Sequence, residues 1–421
     1  MKLINLLVVF LLTTFVVTNS WGKKDTCIVL TGSPLSSDSY KTVKQILEQS
    51  LYCYVKEVSL AKDEIATADL SNVKFLYWAG GTYYDFHPSK SAADNIRKAV
   101  SNGMGYFGTC GGSLIAVEST PASRENQLKL FPGSQPFGSG TGMRDYEMNL
   151  DHPVIVNSSL SRYFDTIESI HYNGGGSDFI PSVQGLVNWV VAKDVIRDTP
   201  ALISTLYGKG RVFLTVAHPE RSYKPETWKF VQIVAEWCMG KSDPEENQAP
   251  LIQANIPNSG GVNEELLFSA AGSDDPEHYP IGFIWDFGDG SDLAFRPEEK
   301  HAYTKSGVFK LTLTVTDGKD ETELSKDIYI GVTSNEITSK SNGSFKLYPN
   351  PASGDVVLDF GQIQNDCTLD IISVKGEIIK AIGIGDVLNY TLDVSSMTPG
   401  VYFLRLKSDE QTMIKKLLIK P

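Results

Sequence analysis

Positive charge is in short supply in this chain of 421 residues. Its 38 Lys and Arg stand against 50 Asp and Glu, a net charge of −12. No basic face remains to neutralise a row of phosphates, so no nucleic-acid partner is expected. Cysteine is scarce as well. Five residues are too few for a disulfide scaffold, and the odd number leaves at least one thiol unpaired within the chain. Long apolar runs are missing after the first twenty residues, so no transmembrane segment is expected once a leader is removed. His87 and His152 each precede a proline and show no metal-ligand spacing with the cysteines, so no metal site is expected in the N-terminal half.

What is present is enough for several cores. At roughly 150 residues per domain the length predicts about three domains. With 41% hydrophobic and 21% charged residues, the chain can bury its apolar side chains rather than stay disordered. Residues 1–22 place Lys2 before an apolar run over 6–17 and small or polar residues up to Gly22. That three-part pattern is a secretory signal peptide, with cleavage after Ser20 or Gly22; the alternative, a membrane anchor, would need about 20 apolar residues. Lys24, Asp25 and Thr26 before Cys27 are not the small apolar residues of a lipoprotein signal, so Cys27 is not read as a lipidation site.

Residues 25–240 alternate apolar runs with amphipathic stretches. The pattern predicts strands over 26–30, 52–58, 74–78 and 105–107, and helices over 40–49 and 91–101. Strands separated by helices predict a doubly wound parallel α/β sheet, whose sites lie at the carboxyl ends of its strands. The polar segment 241–249, with Pro244, reads as a linker. Beyond it the helical periodicity ends. Short β-branched strands over 250–332, a second linker over 333–344 and a final all-β stretch over 345–421 predict two β-sandwich domains.

Three motifs fall at predicted strand ends. Gly108-Thr109-Cys110-Gly111-Gly112 lies between a strand and a helical run over 113–118. A nucleophile flanked by glycines at such a turn forms an elbow, in which the helix amides favour thiolate and developing oxyanion. The alternative is a buried structural cysteine. His218-Pro219-Glu220 ends the strand VFLTVA; in an extended segment residues i and i+2 share a side, so Glu220 could orient His218 as base for Cys110. Gly80-Gly81 follows FLYWA, either as a second source of oxyanion donors or as a simple turn. His171 and Tyr172, before Gly174–Gly176, are candidate pocket residues or part of a surface turn. An oxidising compartment would permit a Cys27–Cys53 disulfide, with Cys238 in a helix predicted over 225–240 as a competing partner; the sequence does not choose. Cys110 is expected to stay free.

These motifs, in this chain order, resemble the class I glutamine amidotransferase-like superfamily. The likeness covers about residues 25–240. Within the superfamily it is nearest to the domain at the N-terminus of some biotin-protein ligases, through WAGGTYYDF, GYFGTCGGSLIA, DHPVIVN and HYNGGGSDF. The resemblance implies a flavodoxin-like fold and a Cys110, His218, Glu220 triad, with Gly81 and Gly111 near the oxyanion and Gly80 beside them. No synthase, ligase half or biotinyl-adenylate motif follows downstream, so hydrolysis of an amide or peptide bond is expected rather than transfer. The alternative is a non-catalytic module that binds an amide, peptide or carbohydrate ligand.

Residues 250–332 resemble a PKD β-sandwich domain through Gly272-Ser273-Asp274-Asp275-Pro276, Trp285-Asp286-Phe287-Gly288-Asp289-Gly290, His301-Ala302-Tyr303 and LTLTVTDG. Asp274, Asp275 and Asp289 could offer hard oxygens to calcium, although turn formation is the favoured role. Otherwise no cofactor is expected. Residues 345–421 resemble the sorting domain of type IX secretion, found in Bacteroidetes, through Leu347-Tyr348-Pro349-Asn350-Pro351, Met397-Thr398-Pro399-Gly400-Val401-Tyr402-Phe403-Leu404 and Lys415-Lys416-Leu417-Leu418-Ile419. That resemblance implies passage through the periplasm, contact with the type IX machinery, and delivery to the cell surface or the medium.

Overall fold

The computed structural model describes residues 24–81, 87–120, 126–136, 141–156, 166–173, 178–222, 225–331, 345–364, 367–373, 377–385, 387–407 and 412–420; for 141, 166–173, 361–364 and 387 it describes the backbone alone. The expected signal peptide, the linker over 333–344 and Gly174–Gly176 lie outside the described residues. The chain divides into two compact units at Asn247 and Gln248, with residues 183–186 counted in the second and 277–280 in the first.

The first unit contains strands β1 (Thr26–Thr31), β2 (Tyr54–Ser59), β3 (Val73–Trp78), β4 (Gly105–Thr109), β5 (Val117–Ser119), β6 (Phe131–Ser134), β7 (Thr141–Met148), β8 (Thr166–Asn173), β9 (Ile180–Pro181), β10 (Val190–Asp194), β11 (Thr199–Tyr207) and β12 (Gly210–Thr215). Its helices are α1 (Ser37–Gln49), α2 (Lys90–Ser101), the short α3 (Gly111–Leu114) and α4 (Pro153–Val156), and α5 (Pro225–Cys238). Nine strands form one sheet in the order β2-β1-β3-β4-β12-β11-β10-β7-β8.

Only part of that sheet is parallel, which corrects the expectation of a doubly wound parallel sheet. The pairs from β2 to β12 are parallel, whereas those from β12 to β8 are antiparallel. Connection length gives the reason. A parallel crossover needs a dozen or more residues, as α1 and α2 provide, while β11 and β12 are joined by Gly208 and Lys209 alone and must run antiparallel. Gly208 takes φ +59° in this turn and supplies the left-handed conformation it requires.

β3 and β4 lie inside the parallel part of the sheet and are buried on both faces. Phe75, Leu76, Tyr77, Trp78, Tyr106 and Phe107 have no exposed surface, as expected for strands covered by helices on either side. An aromatic chain runs through this layer, with Tyr77 5.3 Å from Phe107, Phe107 5.6 Å from Phe213, and Phe213 5.9 Å from Phe230 of α5. α1 buries Ser39, Val43, Ile46 and Leu47, a single helical stripe. α2 starts where the Ser89 hydroxyl accepts the Ala92 amide, an N-cap bond. Because β4 and β12 pair with Thr109 opposite Thr215, the chain leaves both strands at the same carboxyl edge.

The helical run expected over 113–118 is shorter than predicted. α3 ends at Leu114 and the β-branched Val117 enters β5 instead, paired with Phe131 of β6.

The second unit is mostly β, with sandwich-like sheets. Its strands are β13 (Ser259–Gly260), β14 (Leu266–Ser269), β15 (Gly282–Asp286), β16 (Glu298–His301), β17 (Gly307–Thr316), β18 (Glu321–Ile330), β19 (Lys346–Tyr348), β20 (Asp355–Gln364), β21 (Cys367–Ser373), β22 (Ile378–Ile384), β23 (Val387–Asp393), β24 (Gly400–Lys407) and β25 (Thr412–Ile419). The sheet β13-β18-β17-β15 faces the pair β14-β16 around Trp285, Phe268, Phe287 and Tyr303. Sheets β19-β20-β23 and β22-β21-β24-β25 enclose a core that includes Val356, Leu358, Leu369, Leu404 and Leu417.

Candidate active site

Cys110 follows β4 directly and adopts φ +52°, ψ −106°, a conformation that L-residues avoid and that marks strained turns at functional sites. The turn is held from both sides. The Cys110 amide donates to Thr215 O (2.9 Å), and its carbonyl accepts the amides of Ser113 (3.1 Å) and Leu114 (3.0 Å). The Ser113 hydroxyl also reaches that carbonyl (2.7 Å) and lies 3.0 Å from Gln135 Oε1. The flanking glycines serve closeness of approach. A Cβ on Gly108 would lie 2.5 Å from Gly112 O, and one on Gly112 would lie 2.1 Å from Trp78 O. The positive φ of the turn sits on the cysteine itself.

His218 reaches the same edge from β12. The expectation of an extended His-Pro-Glu segment is corrected here, because Pro219–Arg221 form a 3-10 turn that begins with His218 as its cap. Proline suits the first position of such a turn, where no amide partner is needed. The turn nonetheless brings the pair together: His218 Nδ1 lies 2.9 Å from Glu220 Oε1, and the two residues are 2% and 1% exposed. Burial pushes the imidazole down, but the Cys110 sulfur and the Glu220 carboxylate outweigh it and hold His218 up at about 10. Burial likewise acts to raise Glu220, yet His218 and the Ser39 hydroxyl keep it below the usual carboxylate range.

Gly80 joins these groups. A Cβ there would lie 2.4 Å from His218 Cε1 and 2.9 Å from Cys110 Cβ, so the ring and the thiol-bearing carbon both pack on this glycine. The Gly80 amide donates to Thr109 Oγ1 (3.2 Å). The Gly81 amide instead faces α3, 3.3 Å from where a Cβ on Gly111 would stand. Among the described residues neither the Gly81 nor the Gly111 amide donates a backbone hydrogen bond.

The residues that sequence reasoning missed are hydroxyls. Thr109, Tyr77 and Ser39 surround Glu220, and nothing in an apolar strand such as VKFLYW sets a functional tyrosine apart from a core one. His171 and Tyr172 occupy β8, in backbone register with Met143 and Gly142. That strand runs near the Pro219–Arg221 turn; the side chains of both residues lie outside the described part of the structure. Two cavities among the described residues, one reaching from Asp69 to Asn102 and one from Ser33 to Ser89, are lined by neither Cys110, His218 nor Glu220.

His152 is a core residue. Its Nδ1 accepts the Val154 amide (3.1 Å), its Nε2 lies 2.7 Å from Asn188 O and 3.0 Å from Ser204 Oγ, and burial lowers it to about 4. All five cysteines are free thiols, so neither of the bridges the sequence left open is formed. Cys238 Sγ is directed at Tyr106 O (3.6 Å) and Cys27 Sγ at Met239 Sδ (3.8 Å).

In the second unit the aspartates shape turns. Asp289 Oδ1 accepts the Ser291 amide (3.0 Å), and its Oδ2 lies 2.8 Å from His301 Nε2. Among the described residues no group of three or more His, Cys, Asp or Glu side chains is arranged to hold a metal, so Asp274, Asp275 and Asp289 do not form a calcium cluster.

Residues 247–332 match the model of the PKD domain and residues 346–420 that of the secretion system C-terminal sorting domain. The sorting domain is of the type IX class and directs export to the cell surface or the extracellular space through that machinery. Among the described residues no helix is long and apolar enough to cross a membrane. Collagenase ColQ1 of Bacillus cereus (strain Q1) is 36% identical over 77 residues, 18% of this chain and 8% of that protein. Microbial collagenase of Vibrio alginolyticus is 31% identical over 94 residues, 20% of this chain and 11% of that protein. The chain thus spans about a tenth of the length of these curated relatives. Among solved structures, a glutamine amidotransferase of Thermotoga maritima is similar at 11% identity and a TM-score of 0.36, over 52% of this chain and 99% of that one. The PKD1 domain of Vibrio anguillarum Epp is similar at 26% identity and a TM-score of 0.17, over 20% and 99%.

Proposed function

We propose that the first unit is a cysteine hydrolase of an amide or peptide bond, carried on an exported chain. The observation that supports this most directly is the packing of Cys110 and His218 on Gly80, with Glu220 2.9 Å from the ring's Nδ1. With Nδ1 occupied, Nε2 is the nitrogen left to serve the sulfur, as a nucleophile, base and orienter require. The Cys110 thiolate attacks the carbonyl carbon, and the electron pair displaced to oxygen is met by the Gly81 and Gly111 amides. The C–N bond then breaks while Nε2–H protonates the leaving amine. Water next attacks the thioester and passes its proton to Nε2, and breakage of the C–S bond releases the acid. The PKD stretch, read as a domain over 250–332, spaces the enzyme from the surface, and residues 345–421 address it.

Deep burial favours a second reading. Cys110 is only 6% exposed, which suits a module that holds an amide, peptide or carbohydrate ligand without turnover. Iodoacetamide labelling between pH 5 and 9 separates the two. Selective alkylation of Cys110 well below pH 8 supports the hydrolase, whereas the reactivity of an ordinary thiol, with a pKa near 8.5, rejects it. An amide and peptide substrate screen then compares wild type with Cys110→Ala, and equal turnover in both would remove Cys110 as nucleophile.

A further inference from the structure

We propose that Thr109 is a positioning residue whose single hydroxyl sets the glycine loop and the Glu220 carboxylate in one arrangement around the reacting atoms. The inference rests on the hydrolase reading for what is positioned, and on the hydrogen bonds of Thr109 for how. Three groups meet its Oγ1: the Gly80 amide at 3.2 Å, the Tyr77 hydroxyl at 2.9 Å and Glu220 Oε1 at 3.4 Å.

A hydroxyl offers one proton and two lone pairs. An amide can only donate, so Gly80 takes one lone pair. An ionised carboxylate can only accept, so Glu220 takes the proton. The Tyr77 hydroxyl also reaches the carboxylate, so its proton goes either to the remaining lone pair of Thr109 or to Glu220. Full burial keeps that phenol protonated, because it pushes the tyrosine well above its ordinary value. Thr109 itself is fully buried.

Two consequences follow for the site. By engaging the Gly80 amide, Thr109 leaves Gly81 as the loop's oxyanion donor opposite Gly111. By donating to the same oxygen that binds His218 Nδ1, it keeps Glu220 against the ring. Valine has the shape of threonine without the hydroxyl, so Thr109→Val would strand the Gly80 amide and remove the hydroxyl that Thr109 gives to the carboxylate.

The test measures Cys110 alkylation by iodoacetamide at pH 7 and the His218 titration by NMR in full-length Thr109→Val, Thr109→Ser and Ile96→Ala. The last is a truncation of the buried α2 core that serves as a destabilised control. The expected result is alkylation slowed about tenfold in Thr109→Val, and a His218 midpoint lowered by about one pH unit, the scale of one lost hydrogen bond to a charged group. Thr109→Ser should stay within about twofold of wild type, since it restores the hydroxyl. Values in Thr109→Val equal to those of wild type or of Ile96→Ala overturn the proposal. Amide exchange in the wild-type protein gives a check that no variant can spoil: Gly80 should be protected, and exchange as fast as in an unfolded chain overturns the proposal. If wild-type Cys110 reacts as an ordinary thiol, the hydrolase reading fails, and the His218 titration still judges Thr109.

Discussion

Cys110 stands at φ +52°, ψ −106°, where a Cβ is unwelcome, and its backbone strain is of order 1–3 kcal/mol. Glycine tolerates this region. Cys110→Gly should therefore be more stable than Cys110→Ala by about 1–3 kcal/mol in urea unfolding; equal stabilities would place the strain elsewhere. His218 carries the complementary prediction. It is held at about 10 against burial by Cys110 and Glu220, so removing the sulfur in Cys110→Ala should lower its NMR midpoint markedly. An unmoved midpoint would mean that the ring does not sense Cys110. Cysteine, histidine and glutamate were readable as candidates because few other residue types supply a nucleophile, a base and an orienter. Thr109 and Tyr77 were not, because a buried hydroxyl in a β-strand is also an ordinary strand residue.

At the scale of elements, the elbow depends on backbone contacts that leave no room for a methyl group. A Cβ on Gly112 would sit 2.1 Å from Trp78 O, so Gly112→Ala should cost about 1–3 kcal/mol in urea unfolding, the usual penalty of overpacking. A neutral result would show that β3 can move away from α3. The central strands and both long crossover helices were legible from their periodicity, within a few residues at each end. The antiparallel half of the sheet was not. β11 is nearly buried throughout, and a continuous apolar run carries no mark of its neighbour's direction; the two-residue turn to β12 sets that direction. The His-Pro-Glu pair was found by residue type, while its 3-10 geometry came from Pro219 and the packing around it.

For the whole molecule, two buried histidines bend the stability of the first unit in opposite directions. His218 has a folded value near 10 against 6.5 in the unfolded chain. Its stabilisation is complete below pH 6.5 and is lost as pH rises toward 10. His152 is held near 4, so the unfolded chain binds a proton that the folded state refuses, and stability falls as pH drops from 6.5 toward 4. Urea unfolding across this range should show the high-pH loss reduced in His218→Gln and the low-pH loss reduced in His152→Gln; profiles parallel to wild type would reject both assignments. Delivery is carried by the other end of the chain. Deleting residues 345–421 should leave the protein in the periplasm, and unimpaired arrival at the surface, followed by cell fractionation, would refute a sorting role.

Export and the nature of the C-terminal half were settled at the level of the sequence, because sorting and PKD motifs are short, local and read in order: Leu347-Tyr348-Pro349 and Trp285-Asp286-Phe287 need no distant partner to be recognised. The candidate chemistry is different in kind. Cys110 and Glu220 are separated by more than a hundred residues, and only the parallel pairing of β4 with β12, Thr109 opposite Thr215, brings their strand ends to one edge. The same pairing places Thr109 between Gly80 and Glu220, and the partners that folding brings to His218 lift the ring against the lowering effect of its burial.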